Sequence, residues 1–268
     1  MKNKITLIQI LFLCVFLICG ILIGRFCYEK HKTEKEMDSL RDELAVTEVE
    51  DEYTPPEERV EVAEIPPTPE PREENGMLSR YYELYKKNND MIGWIKVYDT
   101  VIDYPVVHNT ESNLYYLHRN FEKKNSSSAI PYLDCECDRN GECDNMIIYG
   151  HNMRNGTMFN QLLKYSNKEF FDTHQYIMFD TMFHRCHYKV FAVFRTSVGS
   201  KNEFKYERFV TARSEDEYNM FVDECIDRSI YKNGDRPSYR EKLLTLSTCS
   251  YNSKNERFVV MARLVEKN

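Results

Sequence analysis

One stretch near the C-terminal end of the chain decides the fold: Leu243-Leu244-Thr245-Leu246-Ser247-Thr248-Cys249. This apolar run, rich in leucine and threonine, ends in a cysteine and is followed by the polar residues 252–255. A second apolar run begins at Arg257 and continues through residues 258–262. Two such runs joined by a short polar loop predict a β-hairpin. The hairpin would place a thiol at the end of one strand and a guanidinium at the start of the next.

A cysteine nucleophile needs a base or an imidazolium partner, and His151 is the best placed of the seven histidines. It directly follows the apolar residues 146–149 and Gly150, so we expect it at a strand end, as we do Cys249. Strand ends and loops on a rigid sheet commonly display reactive groups. The alternative is that Cys249 is an ordinary strand residue, because free cysteine is often buried.

The net charge of −7 is unevenly distributed over the 268 residues. Residues 29–76 hold 17 Asp and Glu against 6 Lys and Arg, a charge of −11. When this segment and the basic residues before it, Lys2, Lys4 and Arg25, are left out, the remaining residues 77–268 carry a net charge near +1. The acidity therefore belongs to a tether and not to the globular part. A nucleic-acid-binding protein would need a basic face, so we expect no nucleic-acid partner.

Three segments are predicted before the globular part. Residues 1–4 would be a cytoplasmic N-terminus, and residues 5–24 are a continuous apolar stretch with about the ~20 residues that a membrane-spanning helix needs. This stretch is longer than the apolar core of a cleaved signal peptide, and basic residues precede it, so we predict an uncleaved signal anchor. Residues 25–76 would be an acidic, proline-rich extracellular stalk. Within it, residues 29–50 favour a solvated helix or disordered segment over a self-associating helix, and residues 53–74 indicate an extended spacer.

The globular part begins near Met77, and its predicted strands outnumber its helices. Strands are predicted in the two runs of the hairpin and at residues 92–97, 101–107, 129–134, 146–151, 176–181 and 187–196. Helices are predicted at residues 78–89, as one turn at 113–117, and at 158–165 and 214–228. Strands and helices rarely alternate in this order, so a closed or nearly closed β-barrel with added helices is favoured over a doubly wound sheet.

Three of the nine cysteines cluster in one predicted loop, residues 134–144, at Cys135, Cys137 and Cys143. Three thiols could ligate zinc with a fourth ligand. Residues 136–147 also partly imitate a calcium loop, but Ile147 stands where the bidentate glutamate should be. We favour an exposed hairpin loop, with or without one disulfide, over either metal site. Stoichiometric zinc in purified protein, measured by elemental analysis, would contradict the expectation of no metal.

Three segments of the chain resemble the signature segments of sortases. They are residues 149–153 (Tyr-Gly-His-Asn-Met), residues 245–249 (Thr-Leu-Ser-Thr-Cys) and residues 257–260 (Arg-Phe-Val-Val). The Thr-Leu-Ser-Thr-Cys form and the long helix before the cysteine strand are similar to class B. The resemblance covers residues 77–268, the predicted catalytic domain. It implies a mainly β fold: a sortase-like closed β-barrel with an N-terminal helix and a long helix before the cysteine strand.

The resemblance also implies an activity, that of a membrane-anchored cysteine transpeptidase of Gram-positive bacteria, related to cysteine peptidases. Such an enzyme cleaves a C-terminal sorting signal of NPxTN or SPxTG type after its threonine. It then passes the surface protein through a thioacyl-enzyme to a peptidoglycan amine of the cell wall. Cys249 would be the nucleophile, His151 the acid and base, and Arg257 the oxyanion donor. We expect no cofactor, a monomer, and a single-pass cell-membrane protein with its catalytic domain outside.

Four further residues are assigned to the substrate groove by the same resemblance. Asn113 and Leu117 match a pattern that contacts the sorting peptide, and Ser247 and Thr248 would line the groove beside the cysteine. Ser250 departs from some class B enzymes, which have an acidic residue there.

Two alternatives stay open. The first is a pilin-polymerising sortase with a lysine acceptor, although the stalk has no aromatic-containing lid motif. The second is an idle peptide-binding module on the same scaffold, although all three catalytic residue types are present.

Overall fold

The computed structural model describes residues 2–45, 70–199, 203–232, 234–249 and 255–267. The α-helices in these ranges are α1 (Lys2–Ala45), α2 (Ser79–Lys87), α3 (Lys168–Thr173) and α4 (Glu215–Arg228). The strands are β1 (Met91–Lys96), β2 (Asp103–His108), β3 (Tyr132–Leu133), β4 (Asn145–Tyr149), β5 (Tyr176–Thr181), β6 (Cys186–Ser197), β7 (Leu243–Cys249) and β8 (Glu256–Lys267). Short 3-10 helices cover Tyr116–His118, Phe159–Ser166 and Tyr206–Arg208.

Helix α1 covers the predicted membrane span and continues to Ala45. By length and composition it is apolar enough to cross a membrane, with a mean hydropathy of 2.7 in its most apolar window. Its apolar side chains are exposed there, as at Phe12 and Phe16. The helix therefore includes the first part of the predicted stalk, while residues 46–69, with most of the predicted proline-rich spacer, lie outside the described residues.

The eight strands close into one barrel in the order β1-β2-β3-β4-β7-β8-β6-β5, and β5 pairs with β1. Most neighbours are antiparallel, but β2 with β3 and β4 with β7 are parallel. The predicted closed β-barrel with added helices is confirmed. The predicted hairpin is also confirmed, because β7 and β8 pair antiparallel along their whole common length.

Helix α4 packs beside the strands that carry the C-terminal motifs. Its buried residues are Tyr218, Phe221, Val222 and Cys225, the i, i+3, i+4, i+7 spacing of an amphipathic helix. They join one apolar cluster with residues of β6, β7 and β8. Ser214 caps the helix by accepting a hydrogen bond from the Glu217 N–H at 3.2 Å, as its position before the helix predicts.

Several predicted elements differ in extent from the observed ones. Strand β3 is only two residues long, because Ala129 has a φ of 50° and the Ile130 N–H bonds the carbonyl of Arg119 instead of a strand. The helix predicted at residues 158–165 is a 3-10 helix, and the short α3 that follows it was not predicted.

The folded part extends upstream of its predicted start at Met77. Glu70 forms an ion pair with Arg80 at 2.5 Å. Arg72 forms a β-bridge with Leu78 and donates from Nη1 to the carbonyl of Phe183 at 2.6 Å. The last residues of the predicted stalk are therefore tied to the barrel.

Candidate active site

Strands β4 and β7 end side by side and bring two sequence motifs together. Tyr149 is in register with Ser247, and the Gly150 N–H continues the ladder by donating to the Ser247 carbonyl at 3.1 Å. Adjacent strands lie about 4.8 Å apart. His151 and Cys249 therefore emerge from neighbouring strands at the same edge of the barrel.

Strand β8 brings the third motif to the same edge. Cys249 is the register partner of Arg257, and residues directly opposite each other in an antiparallel pair share one face of the sheet. The Cys249 side chain is exposed and that of Arg257 is half-buried. All three predicted catalytic residues therefore belong to one group of strand ends.

The Arg257 guanidinium is largely uncommitted within the described part of the chain. Its one hydrogen bond there runs from Nη1 to the carbonyl of Glu256 at 3.3 Å. The Glu256 carboxylate pairs instead with Arg195 at 3.3 Å. Because a guanidinium has five N–H donors, most of them can serve a bound group.

A backbone carbonyl orients the His151 ring. The Nε2 atom lies 2.7 Å from the carbonyl oxygen of Leu117, and a carbonyl can only accept. Nε2 therefore carries a proton in this contact, which leaves Nδ1 as the ring nitrogen that can exchange a proton with a thiol or an amine. The His118 ring lies nearly parallel to it, 6.2 Å away at an angle of 14°.

Gly150 is required by the close packing just before His151. A Cβ atom at this position would lie 2.5 Å from the ring of Phe159, which is fully buried. The Phe159 N–H in turn donates to the His151 carbonyl at 2.9 Å. A side chain at position 150 would therefore force the Phe159 ring or the backbone beside His151 to move.

Two side-chain hydrogen bonds join the backbone around His151 to the end of β7. Asn152 donates from Nδ2 to the carbonyl of Cys249 at 2.7 Å, and Thr248 donates from Oγ1 to the carbonyl of Gly150 at 2.7 Å. Asn160 fixes the Asn152 amide by donating to its Oδ1 at 2.7 Å. These bonds help to set the separation of thiol and imidazole, and we call them the Asn152 clamp.

Sequence reasoning did not single out Asn152 or Asn160. The first lies inside a motif segment, beside His151, but its partner is 97 residues away. No local pattern indicates such a contact. The only sequence feature that could have indicated a role for Asn152 is its position next to a candidate catalytic histidine.

Ser247 and Thr248 are buried near the end of β7, only 1% and 2% exposed. The Ser247 hydroxyl lies 2.6 Å from the hydroxyl of Tyr206, and that of Thr248 bonds Gly150, as above. The structure therefore gives both hydroxyl groups internal partners. Their position supports the strand end below Cys249.

Asn113 belongs to a hydrogen-bond network around a buried carboxylate. Asp134 is 4% exposed, and its Oδ2 accepts from Tyr149 Oη at 2.8 Å and from Asn113 Nδ2 at 2.9 Å. The Asn113 Oδ1 accepts from the Cys135 N–H at 2.7 Å. We call these residues the Asp134 network; it ties the segment before His151 to the loop between β3 and β4.

Two tyrosines lie close to the candidate catalytic residues. Burial raises the pKa of Tyr206 to about 12, although its hydrogen bond with Ser247 and the charge of Arg257 lower it. Burial also raises the pKa of Tyr132, which is influenced by both Cys249 and Arg257. Both phenols therefore stay protonated at neutral pH and can donate hydrogen bonds near the thiol.

The loop between β3 and β4 is exposed at Glu136, at residues 138–140 and at Glu142, but its cysteines are not exposed. Cys135 is half-buried, and Cys137 and Cys143 are buried. In the described part of the chain, no three His, Cys, Asp or Glu side chains are gathered in a way that could hold a metal ion. Ser250 and the other residues of the β7–β8 turn up to 254 lie outside the described residues.

Comparison with known protein families identifies relatives over most of the chain. A family model for the sortase domain matches residues 95–265. Sortase B of Listeria monocytogenes is 31% identical over 187 residues, which cover 69% of this chain and 74% of that protein. Sortase B of Staphylococcus aureus is 24% identical over 268 residues, 99% of this chain and 98% of that protein.

Solved structures share the same barrel. A Bacillus anthracis protein described as similar to sortase B has a TM-score of 0.73 and 27% identity, covering 89% of this chain and 97% of that one. Clostridium perfringens sortase B has a TM-score of 0.64 and 32% identity, covering 69% and 99%. A Staphylococcus aureus sortase B–substrate complex has a TM-score of 0.65 and 28% identity, covering 71% and 86%.

Proposed function

Because this chain belongs to the sortase family, within class B, we propose that it is a membrane-anchored transpeptidase that attaches surface proteins to a peptidoglycan amine of the cell wall. One observation supports the proposal best: strand pairing puts Cys249 beside the strand end that carries His151 and opposite Arg257. A thiol, an imidazole and a guanidinium at one edge are the groups that acyl transfer needs. The exposed thiol is open to a peptide carbonyl.

In the proposed acylation step, the Cys249 thiolate attacks the threonine carbonyl of a sorting signal of NPxTN or SPxTG type. The oxygen of the tetrahedral intermediate gains negative charge, which the Arg257 N–H donors stabilise. The protonated His151 ring gives its proton to the leaving amine. The peptide bond breaks, and the surface protein remains as a thioester on the cysteine.

In the proposed transfer step, an amine attacks the thioester. The neutral His151 ring accepts the amine's proton, while Arg257 again stabilises the oxyanion. The thiolate then leaves, and the surface protein is joined to the acceptor through a new amide bond. A solved sortase B structure is a complex with triglycine, and a glycine peptide ends in the kind of primary amine that this step requires.

Helix α1 would hold the enzyme at the membrane as a single-pass signal anchor. Its exposed apolar side chains support this role, because an exposed apolar surface of such length needs a lipid or protein partner. The basic residues at its start favour a cytoplasmic N-terminus. The barrel would then stand outside the cell, where surface proteins and wall precursors meet.

Asn113 and Leu117 would position the sorting peptide through the backbone segment that also orients His151.

The proposal is tested with the full chain in detergent and quenched fluorescent peptides of NPxTN, SPxTG and LPxTG types, with triglycine as the acceptor. We expect cleavage after threonine and a threonyl-triglycine product, identified by mass. The Cys249→Ala variant should be inactive with unchanged thermal stability, because the side chain is exposed. Equal inactivity of wild type and variant on all three peptides would contradict the transpeptidase and favour a peptide-binding module. A lysine side-chain acceptor preferred to triglycine would favour pilin polymerisation.

A further inference from the structure

Two cysteines of the β3–β4 loop form a buried pair outside the candidate active site. Cys137 and Cys143 are only 4% and 5% exposed, and their side chains lie next to each other. The Cys137 thiol also reaches the carbonyl of Asn145 at 3.4 Å. Oxidation can join two neighbouring thiols when the backbone lets their Cβ atoms approach to about 4 Å.

The two thiols have different acidities. The interaction between the two side chains lowers the pKa of Cys143 and raises that of Cys137, whose burial raises it further. A backbone hydrogen bond from Asp138 and the charge of Lys242 lower the pKa of Cys143 further. A lowered thiol pKa increases the share of thiolate, which is the form that takes part in thiol–disulfide exchange.

The loop backbone already holds the two cysteines together. The Cys137 N–H donates to the Asp134 carbonyl at 3.0 Å, and the Gly141 N–H to that of Asp138 at 3.1 Å. Lys242 reaches across from the start of β7 and donates to the Cys143 carbonyl at 3.0 Å. A cross-link can therefore form within an ordered turn.

We propose that Cys137 and Cys143 are a dithiol–disulfide pair that cross-links the β3–β4 loop. The oxidant is an external disulfide, such as an oxidised low-molecular-weight thiol or a thiol oxidoreductase. The Cys143 thiol gives its proton to solvent, and the resulting thiolate attacks the external disulfide. A mixed disulfide forms, and the released thiolate takes up a proton. Cys137 loses its proton to solvent and attacks the Cys143 sulfur, which releases the second thiol. The protein dithiol has then lost two electrons and two protons, and the external disulfide has gained them.

The cross-link would stabilise one side of the candidate site. Asp134 begins the same loop and holds both Asn113 and Tyr149 through its carboxylate. A disulfide restricts the conformations of the unfolded loop and so favours the folded one. The pair does not depend on the transpeptidase chemistry, because neither cysteine takes part in it.

Trypsin provides a direct test, because it cleaves between the two cysteines at Arg139. The full chain is exposed to oxidised glutathione, its free thiols are alkylated at low pH, and it is digested without reductant. We expect residues 125–139 and residues 140–154 to appear as one linked species, two hydrogens lighter than their sum. Reduction should separate them. Absence of the linked species after oxidation would overturn the proposal, whether or not the enzyme is active.

Matched variants identify which thiol is used, since residues 125–139 also contain Cys135. The Cys135→Ser variant should keep the linked species, and the Cys137→Ser variant should lose it. The reverse result would overturn the assigned pair. If Cys137→Ser does not fold, the wild-type and Cys135→Ser digests still decide the question.

Thermal stability gives a second readout. By the loop-entropy relation, a cross-link over so short a loop should raise the Tm of the oxidised chain by roughly 5 °C. The same difference between oxidised and reduced forms is expected for Cys135→Ser and not for Cys137→Ser. A linked pair whose oxidation leaves Tm unchanged would contradict the stabilising role.

Discussion

The two sides of the candidate site are held in different ways. On one side, the paired ends of β4, β7 and β8 place His151, Cys249 and Arg257 through backbone register. On the other side, the carboxylate of Asp134 holds Asn113 and Tyr149 through single hydrogen bonds. A register slip would turn every side chain of a strand to the other face, whereas one hydrogen bond contributes only about 1 kcal/mol. The strand side should therefore control chemistry, and the loop side should control substrate fit and stability.

The largest effect after loss of the nucleophile is expected at Arg257. The Arg257→Lys variant keeps the charge but loses the planar set of donors, so kcat should fall by about 10²–10³. KM should change little, since the contact is made to the oxyanion that forms in the reaction. Steady-state kinetics with the fluorescent peptide measure both constants. A wild-type kcat in Arg257→Lys would contradict this prediction, because a positive charge alone would then be enough to stabilise the oxyanion.

The Asn152 clamp tests whether strand pairing alone positions the thiol. Removing its donor in Asn152→Ala should lower kcat by roughly 10–100-fold with little change in KM, because small misplacements of reacting groups slow the reaction strongly. The pH dependence of Cys249 alkylation should also change, which a loss of stability alone would not cause. The Asn160→Ala variant should show a smaller effect in the same direction. Full activity in both variants would contradict a role for the clamp and would mean that strand pairing alone positions the thiol and the imidazole.

The loop side is tested at Asp134. In Asp134→Asn one carboxylate oxygen becomes an amide nitrogen that cannot accept. If the nitrogen replaces Oδ2, both Tyr149 and Asn113 lose their acceptor; if it replaces Oδ1, the Glu136 N–H loses its acceptor. The free energy of unfolding should fall by about 1–3 kcal/mol, which lowers Tm by several degrees. We expect KM for the peptide to rise severalfold while kcat stays within about twofold of wild type. The reason is that a contact made equally to the bound substrate and to the transition state affects KM and leaves kcat unchanged. The exposed Asp138→Asn variant is the control, and a large loss of kcat in Asp134→Asn would break the comparison.

A buried carboxyl that belongs to neither side should have the smallest effect on catalysis. Burial raises the pKa of Asp180 to about 6, although Tyr81 donates to it at 2.7 Å. Because the pKa is higher in the folded chain than the ordinary 3.8, the stability that this group contributes is fully present below about pH 4 and lost as pH rises through about 6.

The sign of this linkage can be measured with Asp180→Asn, which does not titrate. The Tm of wild type minus that of the variant should be a few degrees larger at pH 4.5 than at pH 7.5. The kcat of the two proteins should be equal at pH 7.5. A difference in Tm that does not change with pH would contradict the raised pKa.

The strand side of the site could be predicted because it depends on local pattern. An apolar run that ends in a reactive residue places that residue at a strand end, as for Cys249 and His151. The polar turn between two such runs then predicts the Cys249–Arg257 partnership, which the register confirms. The closed barrel followed from the same alternation of strands and turns.

The side-chain hydrogen bonds on both sides of the site could not be predicted, because they join residues that are distant in the sequence. Asn152 reaches Cys249 and Asn113 reaches Asp134 through bonds that leave no periodic signal in the sequence. The hydroxyls of Ser247 and Thr248 bond inside the protein, while the expectation that these residues line the substrate groove stays a prediction. The two-residue length of β3 depends on the left-handed conformation of Ala129, which no residue preference favours.

The parallel pairing of β4 with β7 has a consequence for the order of folding. Residues 145 and 243 are register partners, so almost a hundred residues must be ordered or looped out before the two strands meet. Pairing over such a separation is slow, because the entropy of closing the loop is lost before any contact compensates for it. Thiol and imidazole therefore meet only late in folding. A chain that has not finished folding carries its cysteine nucleophile without the partners that would activate it.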